Sequence, residues 1–462
     1  MRAEPPPGAG RKLEIRSRSL VPPRKTGLRT GRSSGWADPR GQRRGYGARP
    51  RWATRPGCRA GWTTRVRRSG PFEDDMKIAV FTDTYLPTVD GVVTSLLSTK
   101  HELERLGHEV VVFAPQVPGN GTGREKDVVW VRAREFRTYP GYRLAMFPGR
   151  EVEQLEDIGA DIVHSHGIGF MGIKGLWSAW QCKRPLILTF HTMIIDAMTY
   201  YTPFHLQLNL LERGLRLYLR VFLHKCRAVV VPTRAILREI EALAPRMRLT
   251  DVIPTGVDIQ RFHPGVDGSA VRARWDLDGN DVVLHVGRIA QEKNLAALVQ
   301  AFTYLKAWRP GAKLVFVGRG PYQAALQHLV RKKGLERDVV FAGFVPDEEL
   351  PSYYAASDVF AIPSKFETQA LVVLEAMASG KPVAGANFRA IPEFVRESYN
   401  GYLFRPEDPK VAAAAIDMCL EERDALGRNA RTVAEGYTVE ASTRRLVRIY
   451  EALIELSGRA SA

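Results

Sequence analysis

The chain has 462 residues and a formal net charge of +17, more sequence than one hydrophobic core usually supports, which predicts two domains. The charge is held unevenly: residues 1–75 carry 19 Lys and Arg against 6 Asp and Glu, a net of +13, which leaves +4 for the other 387 and argues against a folded body built for specific nucleic acid. No uninterrupted apolar run approaches the roughly 18–20 residues that span a bilayer, and Cys58, Cys182, Cys226 and Cys419 are too scattered for a metal or redox motif; a soluble or peripheral chain with reduced thiols in the cytoplasm is expected.

Residues 1–75 are rich in Arg, Gly and Pro and poor in aliphatic side chains, which predicts disorder. Three readings stand open: an arm that binds RNA or a membrane, an Arg-rich transit peptide without an evident amphipathic helix, or a misassigned leader with Met76 as the biological start. The segment lacks the apolar stretch and small-residue cleavage site of a secretory signal.

From Met76 short apolar runs alternate with amphipathic stretches, the pattern of parallel sheets wrapped by helices. Strands are predicted at 77–82, 109–114, 161–164, 186–190, 228–231 and 250–253, forming a first domain over 76–257. Pro254 and Gly256 interrupt the rhythm there, and a second domain over 258–437 follows, with strands at 282–286, 313–317, 338–342, 358–362, 382–384 and 402–404. The last helix, about 438–456, carries Leu446, Ile449, Tyr450 and Leu453 on one face. Two open sheets facing one another leave a cleft, and such sheets bind ligands beyond the carboxyl ends of their strands.

The residues at those ends are therefore the candidates. The first strand runs into a loop with Gly91 at the start of a helix, where a phosphate or sugar can approach the backbone. It is not a Gly-x-Gly-x-x-Gly loop, which argues against a dehydrogenase. His164 and His166 end the third strand and, by alternation, lie on one side; His191 ends the fourth. No acidic or cysteine cluster completes a metal site around them. Gly287, Arg288 and Lys293 open the second domain, and two cations converging there can neutralise charge on a departing diphosphate without a metal ion. Gly318 and Gly320 end the next strand, where a nucleotide can lie against the backbone.

The densest signal is 363–380. Glu367 and Glu375 stand eight positions apart across a loop that enters a helix. A helix beginning just after Glu367 leaves the amides of Thr368, Gln369, Ala370 and Leu371 for an anion, with Glu375 about two turns further in. A sugar nucleotide presents a sugar, a diphosphate and a ribose in line, and the segment has a partner for each. With its flanking Pro363-Ser364 and its Glu375-Ala376-Met377-Ala378-Ser379-Gly380 ending, it resembles the donor-binding motif of the family-4 retaining glycosyltransferases. Gly287-Arg288 with Glu292-Lys293-Asn294 is similar to a second signature of that family.

The resemblance runs from Met76 to about Leu456. It implies an α/β protein of the GT-B fold: two Rossmann-like doubly wound domains facing across a cleft, with helix 438–456 packing back on the first. It implies a retaining hexosyltransferase that uses an NDP-sugar as cosubstrate and no cofactor or metal. Arg288 and Lys293 would hold the diphosphate, Glu375 the ribose, and Glu367 and His166 the sugar; His191 and Asp196 would line the acceptor side. Two departures stand out. Members with the Glu-Thr-Gln version carry Gly next, where this chain has Ala370; and Asn387-Phe388-Arg389-Ala390 precedes Ile391-Pro392 in place of Gly-Gly.

Within the family the chain looks most like enzymes that glycosylate membrane diacylglycerol, which predicts a lipid acceptor and a peripheral position on the inner face of an anionic membrane. A helical projection of 206–228 puts Arg213, Arg216, Arg220, His224 and Arg227 in one stripe opposite Leu208, Leu211, Leu215, Leu219, Phe222 and Cys226. Such a helix suits a membrane surface and equally a core helix with a solvated basic face. The alternatives are a mannosyl- or glucosyltransferase for a soluble, polysaccharide or phosphoinositide acceptor and, from another class, a non-catalytic basic RNA- or membrane-binding protein.

Overall fold

Parallel strands covered on both faces are mostly apolar, and the strands of this chain follow that rule except for buried polar residues such as His164, Ser165 and His285. The computed structural model describes residues 75–459 apart from 89, 120, 122, 136–142, 147 and 192–207, all of them within one unit, Pro71–Ala462. Asp196 and the expectations for residues 1–74 lie outside the described residues.

The first sheet contains β1 (Lys77–Phe81), β2 (Glu109–Pro115), β3 (Gly123–Glu125) and β4 (Val128–Val131). After a small hairpin of β5 (Arg134–Glu135) and β6 (Arg143–Leu144), β7 (Ile162–Ser165), β8 (Leu186–Thr189), β9 (Ala228–Val231) and β10 (Thr250–Val252) complete it. Its order is β10-β9-β8-β7-β1-β2-β4-β3, parallel except for β3. The sequence reading missed β3 and β4, because Val128–Val131 is a short apolar run in a polar stretch without a neighbouring helix to set the rhythm. The second sheet holds β11 (Val282–Val286), β12 (Lys313–Val317), β13 (Val339–Gly343), β14 (Val359–Ile362), β15 (Val383–Ala386) and β16 (Gly401–Phe404), ordered β13-β12-β11-β14-β15-β16 and wholly parallel.

Side chains alternate across β1, so Ala79 and Phe81 join one core and Ile78 and Val80 the other. On the second of these faces lies the last helix, Val439–Arg459, whose Leu446, Tyr450 and Leu453 are buried against the first sheet. The chain leaves the first sheet at residues 253–258 and returns beside that exit: the Val257 N–H donates to Tyr437 O at 2.8 Å. A Cβ on Gly256 would stand 2.4 Å from the Thr438 carbonyl group, so only glycine lets the two passing segments touch.

Tyr450 reaches into the first sheet to pair its hydroxyl with His164 Nδ1 at 2.6 Å, while His164 Nε2 meets Thr189 Oγ1 at 2.7 Å. His164 is thereby tied into the interior. The Tyr450→Phe substitution leaves a buried ring nitrogen unpaired and is expected to lower stability by about 1–3 kcal/mol. Urea or thermal unfolding measures it, and wild-type stability in the variant would contradict the pairing.

Candidate active site

The loop after β11 carries the first group of predicted residues. Gly287 adopts φ +148°, and its N–H donates to Val317 O at 3.0 Å. Arg288 lies 3.8 Å from the buried Glu292, and five residues beyond Arg288 the Lys293 ammonium contacts Glu367 Oε1 at 2.7 Å. Asn294 holds the loop by donating to Pro363 O at 3.2 Å and Pro406 O at 3.0 Å. Sequence positions 74 apart thus meet as a cation and a carboxylate.

Gly318 and Gly320, where a nucleotide contact was expected, are also tightly packed against the chain itself. A Cβ on Gly318 would stand 2.0 Å from Gly287 O, and one on Gly320 2.2 Å from Ile289 O. Their missing side chains make room for protein backbone, and the Gly318 N–H is already bonded to Gly343 O at 2.7 Å.

The helix in the 363–380 segment begins later than its sequence suggests, at Leu371, and runs to Ala378. Glu367 stands in the loop ahead of it, and Glu375 lies about one turn inside. The delay has a local cause: Ala370 takes a left-handed conformation, φ +65°, which ends the loop and resets the chain direction. Arg389 is also left-handed, at φ +47°. Both departures from the family pattern therefore fall where the backbone favours glycine.

Glu375 is buried, and its Oε2 accepts from the Tyr354 hydroxyl at 2.7 Å. Burial pushes its carboxyl up to about 7, against the lowering effects of the Tyr354 hydrogen bond and the Arg261 charge.

On the first sheet, β7 and β8 end side by side. His166 Nδ1 and His191 Nε2 are 3.0 Å apart, and the His164 and His166 rings lie 4.3 Å apart. Desolvation, reinforced by the other two rings, holds His166 well below the usual imidazole value; desolvation alone brings His191 to about 4. All three rings are neutral near pH 7. Asp83, which the sequence reading passed over, is the anchor of this corner. Its carboxylate accepts from the Gly169 N–H at 2.8 Å and the Met171 N–H at 3.0 Å, capping the helix Phe170–Gln181 that follows His166. The available signal was an Asp two residues past a strand opposite Gly167-x-Gly169, where a Cβ on either glycine would collide with it. Gly91 opens the helix Gly91–Arg105, and a Cβ there would meet no atom within 4 Å.

Thr368 and Gln369, whose main-chain amides were expected to meet the donor, send their side chains across to the first sheet. Thr368 Oγ1 donates to His191 O at 2.8 Å, and Thr368 O accepts from Thr233 Oγ1 at 2.9 Å. The Gln369 amide pairs with both main-chain groups of Thr255, each at 2.7 Å. Beside them Glu393 caps the helix Arg234–Leu243, accepting from Arg234 N–H at 2.9 Å and Ala235 N–H at 2.6 Å. Arg389 meets Glu239 at 3.1 Å. The ring of His166, the ring and carbonyl of His191, Thr368, Glu367 and Lys293 consequently form one connected path between the two sheets. Arg288 and Glu375 stand on the same two second-sheet segments, and the Leu371 amide opens the helix between the two glutamates.

Residues 89–261 match the family model described as Glycosyltransferase Family 4, and 270–433 match Glycosyl transferases group 1. The chain is 29% identical over 396 residues to the alpha-monoglucosyldiacylglycerol synthase of Acholeplasma laidlawii, spanning 83% of this chain and 99% of that one. It is 30% identical over 368 residues to the alpha-monoglucosyldiacylglycerol synthase of Streptococcus pneumoniae, 78% of this chain and 81% of that one. Among solved structures, Anabaena HepE in complex with UDP-glucose superposes with a TM-score of 0.65 at 21% identity, over 82% of this chain and all of that one. That likeness is one of fold: two Rossmann-like parallel-sheet domains of the GT-B type.

Two outcomes follow from this geometry. Glu375 takes up its proton more readily when folded, so its contribution is complete below about pH 4.5 and is lost as pH rises toward 7. Thermal melts of wild type and Glu375→Gln at pH 4.5, 5.5, 7 and 9 should show wild type losing ground as pH rises through about 7 and levelling off beyond it; a constant difference would refute the shift. Ala370→Gly should stabilise the fold by about 1 kcal/mol by relieving left-handed strain, and a destabilised variant in the same melts would refute the strain.

Proposed function

The chain belongs to the family-4 glycosyltransferases, and on that premise we propose that it moves a hexose, with retention, from an NDP-sugar such as UDP-glucose to the hydroxyl of a membrane glycerolipid. One observation carries the reading: the connected path from His166 through His191, Thr368 and Glu367 to Lys293, which joins sugar-side groups of one sheet to a cation of the other.

In this reading the diphosphate lies over the loop after β11, against Arg288 and Lys293, with the Leu371 amide at the helix start as a further donor. Lys293, held by Glu367 before the donor arrives, turns its charge to the phosphate. Glu375 receives the ribose hydroxyls beside Tyr354. Glu367 and the neutral His166 hydrogen-bond the sugar, and an uncharged imidazole does so without repelling the positive charge that grows at the anomeric carbon. As the glycosidic bond lengthens, negative charge gathers on the diphosphate, and the two cations stabilise it in a partly desolvated setting. The acceptor hydroxyl enters past His191 and attacks from the face the diphosphate leaves, and the departing oxygen takes its proton.

The lipid acceptor is supported by the two similar proteins whose names describe diacylglycerol products. Among the described residues no helix is long and apolar enough to cross a membrane, so such an acceptor has to be reached at the bilayer surface. The reading locates the enzyme in the cytoplasm, peripheral on the inner face.

The test is release of NDP when UDP- and GDP-hexoses labelled in the sugar are supplied with extracted lipids, scored for label entering the organic phase. Arg288→Ala and Glu375→Ala are expected to lower kcat/KM by about 10²–10³. Release without label in the organic phase would refute the lipid acceptor, and release undiminished in both variants would refute the site.

A further inference from the structure

Helices that cover a sheet ordinarily present polar side chains to solvent. The helix Phe170–Gln181 does the reverse. Met171, Gly172, Gly175, Ser178 and Ala179 face the sheet, which leaves Phe170, Ile173, Trp177 and Trp180, spaced by three and four, on the opposite pole. All four are between 36% and 65% exposed. The Trp177 and Trp180 rings lie 5.1 Å apart, so the stripe is continuous at its far end.

The neighbouring helix, Leu208–Lys225, repeats the arrangement. It packs against the first through Tyr218, whose hydroxyl donates to Ile168 O, and through Phe222, which would lie 3.4 Å from a Cβ on Gly172. Its outward pole carries Leu217 and Val221, at least half exposed. The basic stripe expected on this helix is only partly a solvent face: Arg220 Nε donates to Leu243 O at 3.0 Å and His224 Nε2 meets Pro245 O at 3.1 Å, so these two fasten the helix to its neighbour. Arg213 and Lys225 remain exposed beside the apolar pole, and Lys183 and Arg184 are exposed just past the end of the tryptophan helix. Glu212 is the one acid in the two helices. On the other flank, the acidic helix Glu151–Ile158 borders the face.

We propose that the joint outer face of Phe170–Gln181 and Leu208–Lys225 docks on an anionic lipid bilayer, with Trp177, Trp180, Leu217 and Val221 entering the interface and Arg213, Lys225, Lys183 and Arg184 meeting its charge. Tryptophan favours that boundary because its ring is apolar and its N–H is not, and a cationic fringe around an apolar face selects a negative surface. The acidic flank sets the tilt, turning the face toward Leu217 and Val221. Phe170 lies four residues from His166 and Trp180 about 15 Å further along the helix, so the docked helix runs from the bilayer to the site. The inference deepens the lipid-acceptor reading by naming the surface that reaches it, yet rests on the exposed stripe and its charge.

The experiment uses the full chain with vesicles of phosphatidylcholine alone or mixed with phosphatidylglycerol, some carrying brominated acyl chains, at low salt and at 1 M salt. The variants are Trp177→Ser with Trp180→Ser, Leu217→Gln with Val221→Gln, and Trp308→Ser as an exposed control on the helix Leu295–Trp308. Both double variants should lose affinity for the anionic vesicles by about tenfold or more. Bromine quenching of tryptophan fluorescence should disappear only in the first, and should persist at 1 M salt in the control, which separates insertion from attraction through the basic residues 1–75. NDP release with a water-soluble acceptor should stay within twofold of wild type. Equal binding and quenching in wild type and the double variants would overturn the proposal. So would a wild-type dimer in sedimentation velocity that the same substitutions split while vesicles go unbound, which gives the face to a second copy. Vesicle docking with transfer only to soluble acceptors would uphold the surface and refute the lipid acceptor.

Discussion

The Gln369 side-chain amide satisfies the N–H and the C=O of Thr255 together, and the arrangement of the site depends on that contact. An amide that pairs both groups of one residue fixes distance and orientation at once, and it does so in a buried place where either group left alone would be costly. Thr368 adds its hydroxyl to His191 O and its carbonyl to Thr233, so three first-sheet segments converge on two consecutive residues. Glu367, the next residue back, is positioned by the same bonds. A shift of one sheet relative to the other would pull on the loop that carries this carboxylate.

Electrostatics around that contact divide by sheet. The second-sheet side holds opposite charges in contact, Lys293 with Glu367, and a carboxyl lifted to about 7 at Glu375. The first-sheet side holds three imidazoles kept neutral by burial, reinforced at His164 and His166 by the neighbouring rings. In the proposed reading a charged cosubstrate would meet ions on one side and uncharged hydrogen-bonding groups on the other. That division suits a ligand with an anionic end and a neutral polyol end.

The two places where the chain leaves the family pattern are informative together. Ala370 and Arg389 both sit at left-handed backbone positions, and both adjoin contacts to the first sheet: Ala370 follows Gln369, and Arg389 pairs with Glu239. At Arg389 the side chain has a use that glycine could not supply. At Ala370 the methyl group is buried in the second-sheet core, apolar burial that glycine would forgo.

Much of the fold was legible in the residues alone. Buried parallel strands are written as short, mainly apolar runs, and Val282–Val286, Lys313–Val317 and Ala228–Val231 can be read from them directly; Val128–Val131 could not, for want of a flanking helix. Strand ends also announced where His166, His191, Arg288 and Lys293 would stand, because in parallel sheets ligand-facing loops follow strands. Sequence could not decide what each side chain touches. It did not show that Thr368 and Gln369 bond to the first sheet, that Gly318 and Gly320 make room for protein backbone or that Asp83 caps a helix, since all five contacts are made with partners far away in the chain. It began a helix at Thr368 because apolar periodicity carries no sign of a left-handed residue. Local pattern encodes which segments are strands and where they end; the pairing of Glu367 with Lys293, of Gln369 with Thr255 and of Tyr450 with His164 exists only once distant segments pack, and packing is decided by the whole chain.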